Sequence, residues 1–135
     1  MNRRDFVKAG AVLGAAASMP SFGFASAKGS DRIKVGLIGC GGRGTGASIN
    51  MLNADKNVEF VAFADLFEDK LDGSIKRIAE AAQKVAPESA KQIIDPSKVK
   101  RFSGWNAVDE LLADKDIDVV IEATPPVFRT IHYKK

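Results

Sequence analysis

A glycine-rich segment carries the residue types and spacing best suited to chemistry in this sequence. Residues 39–44 read Gly-Cys-Gly-Gly-Arg-Gly and match the pattern Gly-x-Gly-x-x-Gly. Where such a loop joins a strand to a helix, the helix N-terminus offers free N–H groups and a partial positive charge to phosphates. The pattern is weak when it stands alone, so the prediction of a phosphate-binding loop depends on the neighbouring elements.

Each glycine of this loop has a physical reason to be glycine. Gly39 permits a tight turn out of the strand, Gly41 lets a pyrophosphate approach the backbone, and Gly44 lets the helix pack close to the strand. Arg43 is either a cation beside the pyrophosphate or a solvated surface residue, and Cys40 is expected to pack rather than to react. The alternative for the whole loop is a glycine-rich turn without a ligand. The candidate cofactor-binding residues here are Gly39, Cys40, Gly41, Gly42, Arg43 and Gly44.

Asp65 is the candidate ligand of the adenosine ribose. It follows Gly44 by 21 positions, and it ends the second apolar run. A carboxylate there accepts hydrogen bonds from ribose hydroxyls and repels the 2′-phosphate of NADP. Residues 66–69 read Leu-Phe-Glu-Asp and bring no cation, so NAD is predicted over NADP. The alternative is a helix-capping aspartate, a role that is compatible with ribose binding.

Strands and helices alternate along the rest of the chain. Asn106 is a candidate helix N-cap, Pro87 is expected to close the second helix, and residues 87–97 are left unassigned. This alternation predicts an α/β fold with a doubly wound parallel sheet in the order 3-2-1-4, four strands of the roughly six in a complete dinucleotide fold. Strands are predicted at residues 32–39, 58–64, 99–102 and 118–123, and helices at residues 45–53, 71–85 and 106–113.

The segment Thr124-Pro125-Pro126 ends the fourth predicted strand. In the predicted order this strand neighbours the first, and ligands bind where the strand order reverses. Thr124, Pro125 and Pro126 should therefore face the glycine loop across the cofactor. The alternative is that the two prolines only terminate the strand.

The first 27 residues have the layout of an export signal. Arg3 and Arg4 precede a weakly apolar run at residues 9–19, and Ala-Ser-Ala at residues 25–27 is a cleavage pattern. The apolar run is too short to span a bilayer, which takes about 18 residues. The paired arginines resemble a twin-arginine signal, so the export machinery is an expected partner and the periplasm the expected location. The alternative is an amphipathic N-terminal helix of a cytosolic protein.

Charge and composition exclude some classes of function. The leader holds Arg3, Arg4 and Lys8 against Asp5, so it carries +2 of the formal net charge of +3. The remaining +1 gives no electrostatic case for nucleic-acid binding. With one cysteine and one histidine, the chain has no intramolecular disulfide and no histidine-rich metal site.

Three segments together resemble the Gfo/Idh/MocA family of oxidoreductases: residues 35–44, 61–65 and 116–125. The family ends its fourth strand with Ala-Thr-Pro, as residues 123–125 do. The resemblance covers about residues 32–132. It implies an N-terminal Rossmann domain that binds NAD or NADP, a second α/β domain, and hydride transfer between the nicotinamide and a sugar or polyol. Some relatives use bound NAD to cleave glycosidic bonds.

The sequence also departs from the family pattern. The family usually places histidine five positions after the threonine, where this chain has Arg129, and continues to a Glu-Lys-Pro motif that is not reached by Lys135. No catalytic residue is therefore assigned. His132 could be a proton shuttle, but a lone histidine near a chain end is expected to be a surface residue.

These observations predict three segments. They are a signal peptide (1–27), a linker (28–31) and an incomplete Rossmann domain (32–135), with the C-terminal substrate domain absent. The predicted function is NAD binding within an exported oxidoreductase of sugars or polyols, whose substrate would need the second domain. The alternatives are an NAD-dependent glycoside hydrolase and a non-catalytic nucleotide-binding remnant. The full-length protein could form a homo-oligomer.

Overall fold

A four-stranded parallel sheet lies at the centre of the computed structural model, which describes residues 32–135. The predicted signal peptide (1–27) and linker (28–31) lie outside the described residues. The strands are β1 (Ile33–Ile38), β2 (Val58–Asp65), β3 (Lys100–Ser103) and β4 (Val119–Glu122). The helices are α1 (Gly42–Ala54), α2 (Glu68–Val85), α3 (Ala90–Ile93), α4 (Ala107–Leu112) and α5 (Pro126–His132), with a 3-10 turn at Pro87–Ser89.

The strand order β3-β2-β1-β4 confirms the predicted α/β arrangement. All three neighbouring pairs are parallel, and helices connect the strands. The order reverses between β1 and β4, because the chain runs outward from β1 through β2 to β3 and then returns to the other side of β1. The carboxyl ends of these two strands therefore flank a crevice where such folds bind ligands.

Apolar side chains on both faces of β1 explain why its sequence is a continuous hydrophobic run. Val35 and Leu37 belong to a core cluster that contains side chains of α1 and α2, whereas Ile38 packs with α4. Because successive side chains point to opposite faces of a strand, both faces of β1 are covered by helices. One face of α2 is buried in this core, at Leu71, Ile75, Ile78 and Ala82.

Several details of the helices differ from the prediction, and α2 begins at Glu68 rather than at residue 71. Helix α1 begins at Gly42 rather than at residue 45, so the glycines form its first turn. Asn106 is the residue before α4, but its side chain makes no capping hydrogen bond. Pro126 starts α5, where proline is tolerated because the first residue of a helix needs no N–H partner. Within residues 32–135, no helix is long and apolar enough to cross a membrane.

Candidate functional site

A cleft of about 580 Å³ opens at the carboxyl ends of β1, β2 and β4. Its volume falls within the roughly 300–1,000 Å³ that is usual for ligand pockets. Seven of the ten predicted site residues line it: Gly39, Gly41, Gly42, Arg43, Asp65, Thr124 and Pro125. Cys40, Gly44 and Pro126 do not line it. The glycine loop and the β4–α5 turn therefore face one cleft, as the strand order requires.

Gly39 must be glycine for two reasons. Its φ angle is +89°, a conformation that side chains other than glycine rarely adopt. A Cβ on Gly39 would also lie 2.9 Å from the carbonyl carbon of Ala123. The first glycine thus allows the loop to pass directly against the end of β4.

Gly44 brings α1 against the end of β1. A Cβ there would lie 1.9 Å from the carbonyl oxygen of Gly39 and 3.1 Å from Cδ1 of Leu37. The contact with Gly39 cannot be relieved by a side chain moving away, because the carbonyl oxygen belongs to the backbone. Gly44 is therefore a packing residue beneath the loop rather than part of the cleft surface.

Gly41 borders open space. A Cβ on this residue would meet no atom within 4 Å, and its backbone is extended, with φ −73° and ψ −172°. Among the described residues, the backbone N–H groups of Gly41, Gly42 and Arg43 donate no hydrogen bond. Unpaired N–H groups at a helix N-terminus are suited to an anion such as a phosphate.

Asp65 joins the second strand to the glycine loop. Its Oδ2 accepts a hydrogen bond from the backbone N–H of Cys40 (2.7 Å), and its Oδ1 accepts one from that of Phe67 (3.0 Å). Phe67 is the N-cap residue of α2, so the carboxylate also supports the start of that helix. Each carboxylate oxygen has a second lone pair, which leaves capacity to accept from ribose hydroxyls.

Cys40 lies beneath the loop. Burial raises the pKa of its thiol to about 12, and the nearby charge of Asp65 acts in the same direction. The thiol is therefore protonated at neutral pH, and its Sγ lies 3.7 Å from the carbonyl oxygen of Ala64. Burial of Cys40 agrees with the prediction of a packing residue.

Among the residues that the structure describes, the cationic side chains of Arg43, Lys70 and Arg129 border the cleft. Arg43 is exposed on the first turn of α1, whereas the Nε of Arg129 donates to the carbonyl oxygen of Thr124 at 2.7 Å. Arg129 thereby fixes the β4–α5 turn. Among residues 32–135, Lys70 pairs only with the exposed Asp69, at 3.6 Å. A further cation, which the sequence did not predict, therefore also lines the cleft.

His132 corrects the expectation of a surface histidine. Its side chain is only 15% exposed, and its Nδ1 lies 3.3 Å from Oε2 of Glu122, which is 9% exposed. The same nitrogen lies 3.3 Å from Oγ1 of Thr124. The histidine lines the cleft because α5 begins immediately after the Thr-Pro turn and carries its last residue back over the end of β4.

Sequence reasoning also missed the apolar part of the cleft. Leu66 and Phe67 follow Asp65 directly, and Trp105, which is 82% exposed, follows β3 after Gly104. The signal that could have found them is their position, because residues just after parallel strands gather at one edge of the sheet.

Comparison with known proteins gives a match for the N-terminal segment. Residues 1–20 match the family described as TAT (twin-arginine translocation) pathway signal sequence. No curated protein matches the chain. The matched segment contains Arg3 and Arg4, the pair on which the prediction of export depended. The protein is therefore exported to the periplasm through the twin-arginine pathway.

Proposed function

We propose that the cleft binds a dinucleotide, with NAD preferred over NADP, and that the protein is the nucleotide-binding part of an exported oxidoreductase. One observation carries this proposal. The glycine loop and the β4–α5 turn line one cleft at the point where the strand order reverses. The resemblance of residues 35–44, 61–65 and 116–125 to Gfo/Idh/MocA oxidoreductases supports the same function and suggests sugars or polyols as substrates.

The chemistry of the cleft fits the parts of a dinucleotide. The unpaired N–H groups of residues 41–43 and the guanidinium of Arg43 suit the pyrophosphate. The carboxylate of Asp65 suits the adenosine ribose, and the apolar surface of Leu66, Phe67 and Trp105 suits a flat base. When bound, NAD would supply the acceptor for a hydride.

Preference for NAD depends on the balance of charge near Asp65. The carboxylate would repel a 2′-phosphate, while Lys70, which also lines the cleft, would attract one. Asp65 is held by two backbone hydrogen bonds at the end of β2, whereas Lys70 is a half-exposed side chain with many rotamers. The fixed charge is expected to dominate, because the lysine loses rotamer entropy when it pairs.

The position of Trp105 provides the experiment. It is the only tryptophan of the chain, and it lines the cleft. Because tryptophan emission overlaps the absorption of NADH, bound NADH should quench Trp105 and gain sensitised emission. Titration of the processed protein should give a saturable signal, and Gly41→Val should weaken the binding at least about tenfold. A tryptophan signal that NADH leaves unchanged, together with no binding heat in a calorimeter, would contradict the proposal.

A further inference from the structure

Three polar side chains form a hydrogen-bonded group at the β4 end of the cleft. Glu122 ends β4, Thr124 follows it in the turn, and His132 ends α5. The hydroxyl of Thr124 donates a hydrogen bond to Oε1 of Glu122, and the backbone N–H of Thr124 donates to the same oxygen at 2.9 Å. The Glu122 carboxylate is thus held in one orientation by two donors from a single residue.

The polar neighbours of Nδ1 favour one tautomer of His132. The Nδ1 atom lies 3.3 Å from Oε2 of Glu122 and 3.3 Å from Oγ1 of Thr124. The carboxylate can only accept, and the single hydroxyl hydrogen of Thr124 is directed at Glu122. Both neighbours of Nδ1 are therefore acceptors. In the neutral ring we therefore expect Nδ1 to carry the hydrogen, which leaves a lone pair on Nε2.

Neighbouring residues on α5 also support the orientation of the imidazole ring. The ring of Phe128 is nearly parallel to it, with an interplanar angle of 16° and centroids 6.4 Å apart. Arg129 fixes the turn through the carbonyl oxygen of Thr124. Among residues 32–135, no side chain or backbone group forms a hydrogen bond with Nε2 of His132. A basic nitrogen is thus left free on a side chain that lines the cleft.

We infer that His132 is the proton acceptor for an alcohol substrate oxidised in this cleft, with Glu122 and Thr124 as the residues that position it. The inference rests on the proposed function. Bound NAD⁺ would be the oxidant: the C–H bond of an alcohol carbon would break, and its electron pair would leave with the hydride to the nicotinamide. The O–H bond breaks and its proton passes to Nε2, so that a C=O bond forms. Glu122 stabilises the resulting imidazolium, which later releases the proton to water.

Nitrogen NMR of the single histidine tests this directly, because every imidazole signal of the chain belongs to His132. In the processed, ¹⁵N-labelled protein, the Nδ1–H tautomer should predominate, and saturation with NAD⁺ should shift the Nε2 signal. A predominant Nε2–H tautomer would overturn the inference. So would calorimetric binding of NAD⁺ that leaves both ring nitrogens unshifted, although the proposed function would then stand. Absence of NAD⁺ binding would overturn the proposed function itself, and this inference with it.

Two variants distinguish a role of Glu122 in positioning His132 from a role in folding. In Glu122→Gln the carbonyl oxygen should keep facing the two donors of Thr124, so that the amide NH₂ faces Nδ1 and the tautomer changes to Nε2–H. The matched control is Glu110→Gln on the exposed side of α4, which should leave the tautomer unchanged. A folded Glu122→Gln protein that keeps the Nδ1–H tautomer would refute the role of Glu122. If that variant does not fold, the wild-type tautomer and its response to NAD⁺ decide the inference.

Discussion

The carboxylate of Asp65 is bonded to the glycine loop through the backbone N–H of Cys40, at 2.7 Å. Asp65, which is predicted to bind ribose, therefore also connects the end of β2 to the loop after β1. Replacing Asp65 would remove this hydrogen bond and the negative charge together. A test of cofactor preference must accordingly change the charge near Asp65 without touching this carboxylate.

Leu66→Arg meets that requirement. Leu66 lines the cleft and is 42% exposed, so an arginine there adds a cation beside Asp65. Both backbone hydrogen bonds of the Asp65 carboxylate remain in this variant. The affinity for NADP relative to NAD should rise roughly tenfold, equivalent to about 1.4 kcal/mol. Leu112→Arg, at a similarly exposed leucine outside the cleft, is the control. Calorimetric titration with both cofactors measures the ratio, and an equal ratio in the two variants would reject the placement of the ribose.

A side chain at Gly44 should disturb the packing of α1 against β1, whereas a side chain at Gly46 should not. A Cβ at Gly44 would lie 1.9 Å from a backbone oxygen, whereas at Gly46 it would meet nothing within 4 Å. Gly44→Ala should therefore lower the free energy of unfolding by about 1–3 kcal/mol. Gly46→Ala should raise it by up to about 1 kcal/mol, because alanine favours the helix. Urea denaturation of both variants checks this, and equal stabilities would show that the close approach is not present.

Burial of Cys40 predicts a loss of stability in alkali. The folded protein keeps the thiol protonated up to a pKa of about 12, whereas the unfolded chain releases the proton near 9.0. Stability from this group is thus complete below pH 9.0 and is lost as the pH rises toward about 12. The slope is at most about 1.4 kcal/mol per pH unit. Denaturation curves of wild type and Cys40→Ala across this range should differ in slope, and parallel curves would contradict the burial of the thiol.

Export should depend on the arginine pair. Replacing Arg3 and Arg4 with lysine keeps the charge but removes the guanidinium groups of the twin-arginine signal. We expect unprocessed protein to remain in the cytoplasm. Lys8→Arg, a conservative change outside the pair, should be exported normally. Cell fractionation with detection of the processed form measures the outcome, and normal export of the double variant would exclude this route.

Much of the fold could be predicted because it depends on local patterns. The apolar runs and the periodic face of α2 specify strands and helices, and strand alternation then leaves few arrangements of a parallel sheet. The predicted start of a helix is wrong where two effects compete. At Gly42 the poor helix propensity of glycine favoured a later start of α1, but packing of Gly44 against Gly39 extends the helix into the glycines.

The cleft was predicted only in part because its walls come from segments distant in sequence. The spacing of the glycines and Asp65 predicted their place in the site, because these residue types at this spacing suit phosphate and ribose binding. It gave no sign that His132 lies beside Glu122, since that contact depends on α5 beginning at Pro126. Proline at the start of a helix and the four-residue spacing of Phe128 and His132 are the weak signals that were available.

Binding of NAD⁺ at the glycine loop is measured most directly by calorimetry on three forms of the processed protein. Wild type should bind NAD⁺ at a single site. Gly41→Val should lose at least about tenfold in affinity, or about 1.4 kcal/mol, without loss of stability, because its side chain enters open space that the pyrophosphate would occupy. Gly46→Ala, in α1 and outside the cleft, should bind as wild type does. Equal affinity of wild type and Gly41→Val, or no binding by the folded wild type, would contradict a dinucleotide site at this loop.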